Sequence, residues 1–479
     1  MKKYIITFIV ASLFISCADD DKYERLNEDP KNPTEVTEDF LFTSSVKSLG
    51  DLLASPNVNR NVYRFISQYL TSTTYLDEPN YKLVSRNVPQ SQWSILYRNV
   101  LKDLDDAKSY IADNEELSQA QKDARLGQIE VIQVYAWQFL VDTFGNVPYS
   151  EALNAEEITS PVYDDASEIY EDLLVRIQDA RTKIQAGDGF GGPDIIFSGN
   201  MAKWKKFSNS LQLRLAMRIA DVGSMQAMAQ DFAEDAISSG VMDSNDDNAV
   251  ILYQSSPPNT NPLWVDLVQS GRSDYLAANT VIDVMNGLDD PRRDYYFDDN
   301  LGAGVYDGGV YGGENTFANY THIGDNFIDP THPGIYMDFT EVSFLLAEAA
   351  ARTYATPLTA DLHYEEAITA SMNYAGITDQ TAIDSYIMQG DVAFDSANWR
   401  ESIGEQFWIA MFDNPFQGWA VWRKFDSPTL NLPEDTNNPV PLRYKYPVNE
   451  QNLNESNYDA ASSDIGGDTQ QTALFWDTM

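Results

Sequence analysis

Apolar positions recur at helical spacing over most of this chain. Ile129, Ile132, Ala136, Phe139 and Leu140 share one helical face, and the pattern stops at Gly145, which predicts an amphipathic helix ended by a glycine. Trp204, Phe207, Leu211, Leu215 and Ile219 make a second stripe, with Arg214 and Arg218 off that face. The stretch 165–180 predicts a third helix, with Ile169, Leu173 and Ile177 in line. A fourth and a fifth, over 340–352 and 361–374, form a hairpin across a short turn containing Pro357.

That hairpin carries a partial repeat signature. Ala360-x3-Tyr364-x2-Ala367 has the small–aromatic–small spacing of the second helix of a tetratricopeptide unit, and Ala166-x3-Tyr170-x2-Leu173 echoes it. The small residue lets two helices approach, and the aromatic fills the gap between neighbouring hairpins. The expected fold class is all-α, a tetratricopeptide-like stack of helical hairpins. Two stretches break the periodicity. Residues 243–333 are rich in Asp, Asn, Gly, Pro and Tyr and include Gly302-Ala303-Gly304, Gly308-Gly309 and Gly312-Gly313; residues 426–479 are similarly irregular. Long loops on a rigid scaffold are where recognition residues usually sit.

The N-terminus reads differently. Lys2-Lys3, an apolar run from Tyr4 to Ile15 and a small Ser16 precede Cys17, the only cysteine of the chain. The layout is that of a secretory signal, and the run is shorter than the roughly 20 apolar residues that span a bilayer. A lone thiol has no partner for a disulfide. The reading is lipoprotein processing, with residues 1–16 removed and Cys17 acylated; an ordinary signal with a chance cysteine is the plainer alternative. Phe14, where leucine is more usual, departs mildly from the lipobox. Acyl chains contribute about 0.8 kcal/mol per buried methylene, enough in pairs to anchor a protein stably. The acidic, proline-bearing stretch 17–39 is expected to be a flexible tether, and 40–479 a single helical domain with irregular insertions at about 243–333 and 426–479.

The chain has 32 Lys+Arg against 73 Asp+Glu, a formal charge of −41. So negative a surface repels phosphate backbones, which argues against nucleic acid as a partner. With 43% hydrophobic residues the acidity does not mean disorder. Aromatic residues reach 12%, a surplus that a sugar- or peptide-binding face would use.

Catalytic motifs are sparse. His322, His332 and His363 lack metal-ligand spacing, and no Gly-x-Ser-x-Gly elbow or phosphate-cradling glycine loop appears. Asp243-x-Asn245-x-Asp247 mimics the start of a calcium loop, but Asn248 stands at the glycine position and Gln254 at that of the closing glutamate. A turn is the expected reading, no cofactor is expected, and an irregular calcium site elsewhere among the acids is left open. Trp419, Trp422 and Arg423 follow Gly418 on one short helical segment and are expected to be scaffold.

Several segments, in this order, carry a resemblance: Asn27-Glu28-Asp29-Pro30-Lys31-Asn32-Pro33-Thr34, Asp142-Thr143-Phe144-Gly145-Asn146-Val147-Pro148-Tyr149, Trp204-Lys205-Lys206-Phe207-Ser208-Asn209-Ser210-Leu211, Asp290-Pro291-Arg292, Glu341-Val342-Ser343-Phe344-Leu345-Leu346-Ala347-Glu348-Ala349, Trp419-Ala420-Val421-Trp422-Arg423-Lys424, and Pro441-Leu442-Arg443-Tyr444-Lys445-Tyr446-Pro447 with Glu450 and Asn454. Together they resemble the SusD/RagB family, in its SusD-like branch of nutrient-binding outer-membrane lipoproteins. Lys424 departs from a frequent second arginine, and an ammonium does not replace a guanidinium fork. The acidic run after Cys17 resembles the signal that sends such lipoproteins to the outer face of the outer membrane. The resemblance implies a tetratricopeptide-like scaffold, a SusC-like TonB-dependent transporter as partner, and capture of a glycan or peptide outside the cell without turnover.

Sugar rings stack their C–H faces on aromatic side chains while polar groups meet the hydroxyls. The expected ligand-binding residues are Tyr75, Asp77, Tyr81 and Trp93, between early helices where the family places part of its ligand surface. Trp264, Arg272 and Tyr275 head the first insertion, and Tyr306, Tyr311 and Tyr320 lie in its glycine-rich part. Two other functions compete: a surface glycoside hydrolase, which needs two carboxylates about 5–10 Å apart, and a lid that gates the transporter without binding ligand.

Overall fold

Five of the major helices start where the sequence supplies a side-chain acceptor for their first backbone N–H groups. The computed structural model describes residues 36–185 and 187–479; Cys17, the leader and nearly all of the expected tether lie outside the described residues. The tether was expected to run to residue 39, but helix α1 already begins at Glu38 (Glu38–Ala54), with Thr37 accepting from the Phe40 N–H. Glu38 and Asp39 sit at its positive end, and Arg125 binds both at 3.1 and 2.9 Å. Helix α2 (Asp103–Asp113) packs on α1. Helix α3 (Gln119–Phe144) opens on a Ser118/Gln121 capping box and ends at Gly145, whose φ of +83° suits glycine. Helix α4 (Ala166–Ile184) is capped by Asp165, and α5 (Met201–Arg218) by Asn200.

Helix α6 (Gln226–Ser239) returns along α5, and α4 packs on both α3 and α5, so the two hairpins stack. The α3–α4 approach is close: a Cβ on Gly127 would lie 2.9 Å from the Ala180 carbonyl oxygen. A second group follows, the hairpin α7 (Phe339–Ala351) and α8 (Ala360–Tyr374), then α9 (Trp399–Ala410) and α10 (Pro415–Phe425), with α7 touching both α5 and α9. Tyr364 and Tyr170, the aromatic positions of the two repeat signatures, are fully buried. The fold is the expected all-α, tetratricopeptide-like one.

The expected insertions are less irregular than their composition. Strand β1 (Leu70–Ser72) pairs antiparallel with β3 (Tyr275–Ala277), and β2 (Ala249–Ile251) with β4 (Gly334–Met337). A helix spans Asn279–Gly287, and another, Glu455–Asp464, lies in the C-terminal stretch. The chain end is tied into the core by Trp476, whose indole N–H donates to Asp142 Oδ1 at 2.9 Å. As expected, Trp419 and Arg423 are scaffold: both are buried, with the guanidinium 3.7 Å from the ring centroid; Trp422 is half-buried.

Charged groups cross this core. Arg214 and Arg218, off the apolar stripe in sequence, are buried rather than solvated. Arg214 on α5 forks onto Glu341 of α7 at 2.5 and 2.8 Å. Arg218 meets Asp142 of α3 at 3.2 Å, and Lys424 of α10 meets Glu348 of α7 at 2.7 Å. Removing one partner of such a pair strands a buried charge, whereas replacing both by apolar residues of similar volume is often neutral. Arg214→Met should therefore lower stability by about 3–5 kcal/mol, and Arg214→Met with Glu341→Leu should recover most of it in urea unfolding.

Asp338 caps α7, its Oδ1 accepting from the Glu341 N–H at 2.7 Å. Burial raises its carboxyl from 3.8 to about 7, helped by nearby Glu341 and Asp413. Across that window the folded chain keeps a proton that the unfolded chain has released, so this group's contribution falls as pH rises. Asp338→Asn keeps the capping oxygen, and should flatten the decline in urea midpoint between about pH 4 and 7.

Candidate functional site

The β1–β3 ladder brings two loops together that lie 200 residues apart. Its register sets Ser72 against Tyr275, and it continues in Thr73, whose N–H donates to the Asp274 carbonyl and whose hydroxyl donates to that of Ser273, both at 2.9 Å. Beyond its end opens a cavity of about 240 Å³. One wall is the segment after β1, with Tyr75, Glu78 and Arg86; the facing wall holds Asp266, Arg272, Asp274 and Tyr275, and the turn after α1 adds Asn57 and Asn59.

Tyr75 is 56% exposed, and the Arg86 guanidinium stands 5.6 Å from its ring centroid, a cation–π distance. Arg86 Nε pairs with Glu78 Oε1; its two Nη atoms have no partner among the described residues. Glu78 is 1% exposed, and its Oε2 has no hydrogen-bond donor. Burial holds the Glu78 carboxyl above its usual range despite the guanidinium. Across the cavity, Asn57 Nδ2 donates to Asp266 Oδ1 at 3.2 Å, and burial likewise holds the Asp266 carboxyl above its usual range. Arg272 is 70% exposed, with its nearest carboxylate, Asp274, at 3.9 Å. The cavity thus offers one open aromatic face, a half-buried second one in Tyr275, two guanidinium donors and carboxylate acceptors. Such a set grips polar rims and apolar faces together.

Of the expected ligand residues, Tyr75, Arg272 and Tyr275 meet in this cavity. Asp77 and Trp264 are half-buried beside it in sequence, and Asp77 accepts from the Ser85 hydroxyl at 3.1 Å. Tyr81, Trp93 and Tyr311 instead pack in the interior. Tyr81 accepts from Gln68 Nε2 at 2.9 Å, Tyr311 donates to the Phe65 carbonyl at 2.6 Å, and Trp93 packs edge-on against Phe144. Their ring faces are occupied by protein. Tyr306 is buried too, donating to Asp294 at 2.6 Å, and Tyr320 is half-buried away from the cavity. Asn57, Glu78, Arg86, Asp266 and Asp274 were not anticipated.

Two other cavities are larger, about 750 and 600 Å³. The first, beside α8, has several carboxylates, no Arg or Lys, and no Tyr or Trp. In the second the Trp399 ring carries two guanidiniums where Tyr75 carries one, those of Arg352 and Arg400 at 5.3 and 4.6 Å, and both are already paired with Asp221. Chemistry, more than volume, therefore selects the smaller cavity. The calcium-like loop holds a side-chain cation: Lys206 binds Asp243 and Asp247 at 2.9 and 2.7 Å. Among the described residues no group of three or more His, Cys, Asp or Glu is arranged to hold a metal ion. The histidines have local partners: His322 stacks on Phe317, His332 Nε2 lies 2.7 Å from Asp413, and His363 accepts from the Leu358 N–H. No helix of the described residues is long and apolar enough to cross a membrane.

The chain resembles solved structures along nearly its whole length. A chitin-binding protein matches at 24% identity and a TM-score of 0.80, over 92% of this chain and 100% of its own. A chitin-binding SusD homologue from Flavobacterium johnsoniae matches at 23% identity and 0.78, over 91% and 98%. A SusD homologue from Bacteroides thetaiotaomicron matches at 24% and 0.75, over 91% and 98%. A search of curated protein sequences returns no match. The family model for SusD-like proteins, described as starch-binding and associating with the outer membrane, matches residues 30–447, and the chain belongs to that family.

Proposed function

We propose that this protein captures an oligosaccharide outside the cell, holds it unaltered in the cavity between Tyr75 and Tyr275, and delivers it to a SusC-like TonB-dependent transporter of the outer membrane. Acylated Cys17 tethers it to that membrane's outer face. The observation that carries the reading is an exposed tyrosine face beside unpaired guanidinium donors, in a family described as starch-binding. The ring takes the C–H face of a sugar while the guanidiniums reach its hydroxyls. A peptide is the other ligand class that such a surface accepts.

Capture without turnover is supported by the state of the carboxylates. A glycosidase needs one carboxyl free to protonate the leaving oxygen and a second to attack or activate water. Here Glu78, the most deeply set carboxyl of the cavity, has one oxygen tied to Arg86 and the other enclosed, so it does not reach a leaving oxygen, while Asp266 and Asp274 are acceptors for hydroxyls.

Tyr75→Ala and Arg86→Ala should each weaken oligosaccharide binding in calorimetric titration, the first by roughly fivefold, matching about 1 kcal/mol of aromatic stacking. Unchanged affinity in both variants would remove the cavity from consideration. Thin-layer chromatography of the incubated sugar should show no product. Cys17→Ala should move the protein from the membrane fraction to the soluble one; continued membrane retention would refute lipid anchoring.

A further inference from the structure

Two tight turns beside the cavity close in the same unusual way. Each ends on a residue with left-handed backbone, Gln68 at φ +56° and Tyr81 at φ +60°. Their bonds are those of a Schellman cap. The Gln68 and Tyr69 N–H groups donate to the Phe65 and Arg64 carbonyls at 2.8 and 3.0 Å, and those of Tyr81 and Lys82 to the Glu78 and Asp77 carbonyls at 2.9 and 2.8 Å. Glycine is the residue that adopts this conformation freely. Asp289 and Thr353 close turns of the same pattern, but their side chains are exposed. Gln68 and Tyr81 are buried, and their side chains meet, Gln68 Nε2 donating to the Tyr81 hydroxyl at 2.9 Å. Strained backbone of this kind persists where the surroundings over-determine it.

The Gln68 carboxamide has two N–H donors and two acceptor sites, and all four are used. Nε2 also donates to the Asn431 carbonyl at 2.7 Å, while Oε1 accepts from the Asn431 N–H at 2.9 Å and from the Thr280 hydroxyl at 2.5 Å. Asn431 Nδ2 closes the network on the Thr280 hydroxyl at 2.9 Å. These partners belong to both walls of the cavity. Tyr81 lies between Glu78 and Arg86 in the first wall, and its turn fixes Glu78, which in turn holds Arg86. Thr280 follows β3 by three residues, and β3 begins at Tyr275 of the second wall. Gln68 itself stands two residues before β1. Asn431 comes from the C-terminal stretch, which grips the first wall again where Asn80 Oδ1 accepts from the Thr436 hydroxyl at 2.9 Å.

We infer that Gln68 is the positioning residue of this cavity: one saturated carboxamide sets the separation of the two walls and, through Tyr81 and Glu78, the placement of the Arg86 guanidinium. The inference deepens the glycan-capture reading and rests on it for the ligand. It explains why a large side chain occupies each of two turns that glycine would close with less strain.

Two mild variants each delete one hydroxyl from the network, Tyr81→Phe at the first wall and Thr280→Val at the second. Hydrogen exchange of the ligand-free protein, followed by mass spectrometry, reads the walls without any sugar. Each variant should speed exchange about fivefold over both 73–87 and 273–280, the worth of one hydrogen bond, while the amides of α3 keep their rates. Faster exchange confined to the wall that carries the substitution would overturn the inference. In calorimetry with maltoheptaose and chitotetraose, Tyr81→Phe should weaken binding of the tighter sugar about threefold. It should have no further effect once Arg86 is replaced by alanine, because it acts through that side chain. Equal losses in the two backgrounds, which a merely structural role predicts, would overturn the inference and leave glycan capture standing. Exchange coupled across both walls, in a protein that binds neither sugar, would support the positioning role and refute glycan capture.

Discussion

The seam of buried charge through the helix stack is the constraint on which the rest of this structure depends. Hairpins of similar length and apolar content can slide past one another at little cost, because dispersion and burial are non-directional. A buried guanidinium tolerates no such slip. Arg214 has to meet Glu341, Arg218 has to meet Asp142, and Lys424 has to meet Glu348; any other register leaves charges unpaired in a low-dielectric interior. These pairs join α3 to α5, α5 to α7 and α7 to α10, so they fix the order and offset of the stack. Asp142 gathers more than its ion pair, accepting from Tyr170 and from Trp476. The seam thereby also holds the chain end.

A fixed stack gives the loops fixed anchor points, and the cavity depends on this. Its two walls come from segments about 200 residues apart, and the ladder joining them has only three residue pairs. So short a ladder is marginal by itself. It persists because Tyr81 and Tyr311, side by side in the interior, are each hydrogen-bonded to residues just ahead of β1. Residues expected to touch ligand instead hold the walls in place. The Glu78–Arg86 pair extends the same logic to the surface, since an immobilised guanidinium loses less freedom when a ligand arrives.

How far the chain could be read in advance follows from the kind of signal each feature leaves. Helices α3, α4, α5, α7 and α8 announce themselves because periodicity and capping are local; Gly145 and Asp165 mark their ends by chemistry that needs no tertiary context. Arg214 and Arg218 are misleading for the same reason. Local pattern places a charge off the apolar face, whereas a second layer of helices makes every face of α5 interior. The cavity was half legible. Tyr75, Arg272 and Tyr275 were anticipated, yet Tyr81, Trp93 and Tyr311 have the same composition and neighbourhood and are buried. Tyrosine and tryptophan suit both settings, being apolar bodies with one polar handle, so residue type does not decide exposure. Glu78 and Arg86 escaped because a separation of eight residues in a loop matches no period. Asp266 and Asp274 were lost among so many acids, although each lies two residues or fewer from a residue that was singled out.

The acidity of the chain is a property of its surface. Arg64, Arg214, Arg218, Arg292, Arg423 and Arg443 are all buried, but so are more carboxylates, among them Asp142, Asp290, Glu341 and Glu348. The interior charges nearly balance, and the solvent-facing shell carries close to the whole formal charge of −41. Within that shell, Arg86 and Arg272 place two exposed guanidiniums at the cavity. The surrounding field disfavours anionic polymers on approach, while the two guanidiniums disfavour a cation at the cavity itself. A neutral chain rich in hydroxyl groups meets neither barrier. Exclusion at long range and hydrogen bonding at short range thus both fit the uncharged oligosaccharide proposed as ligand.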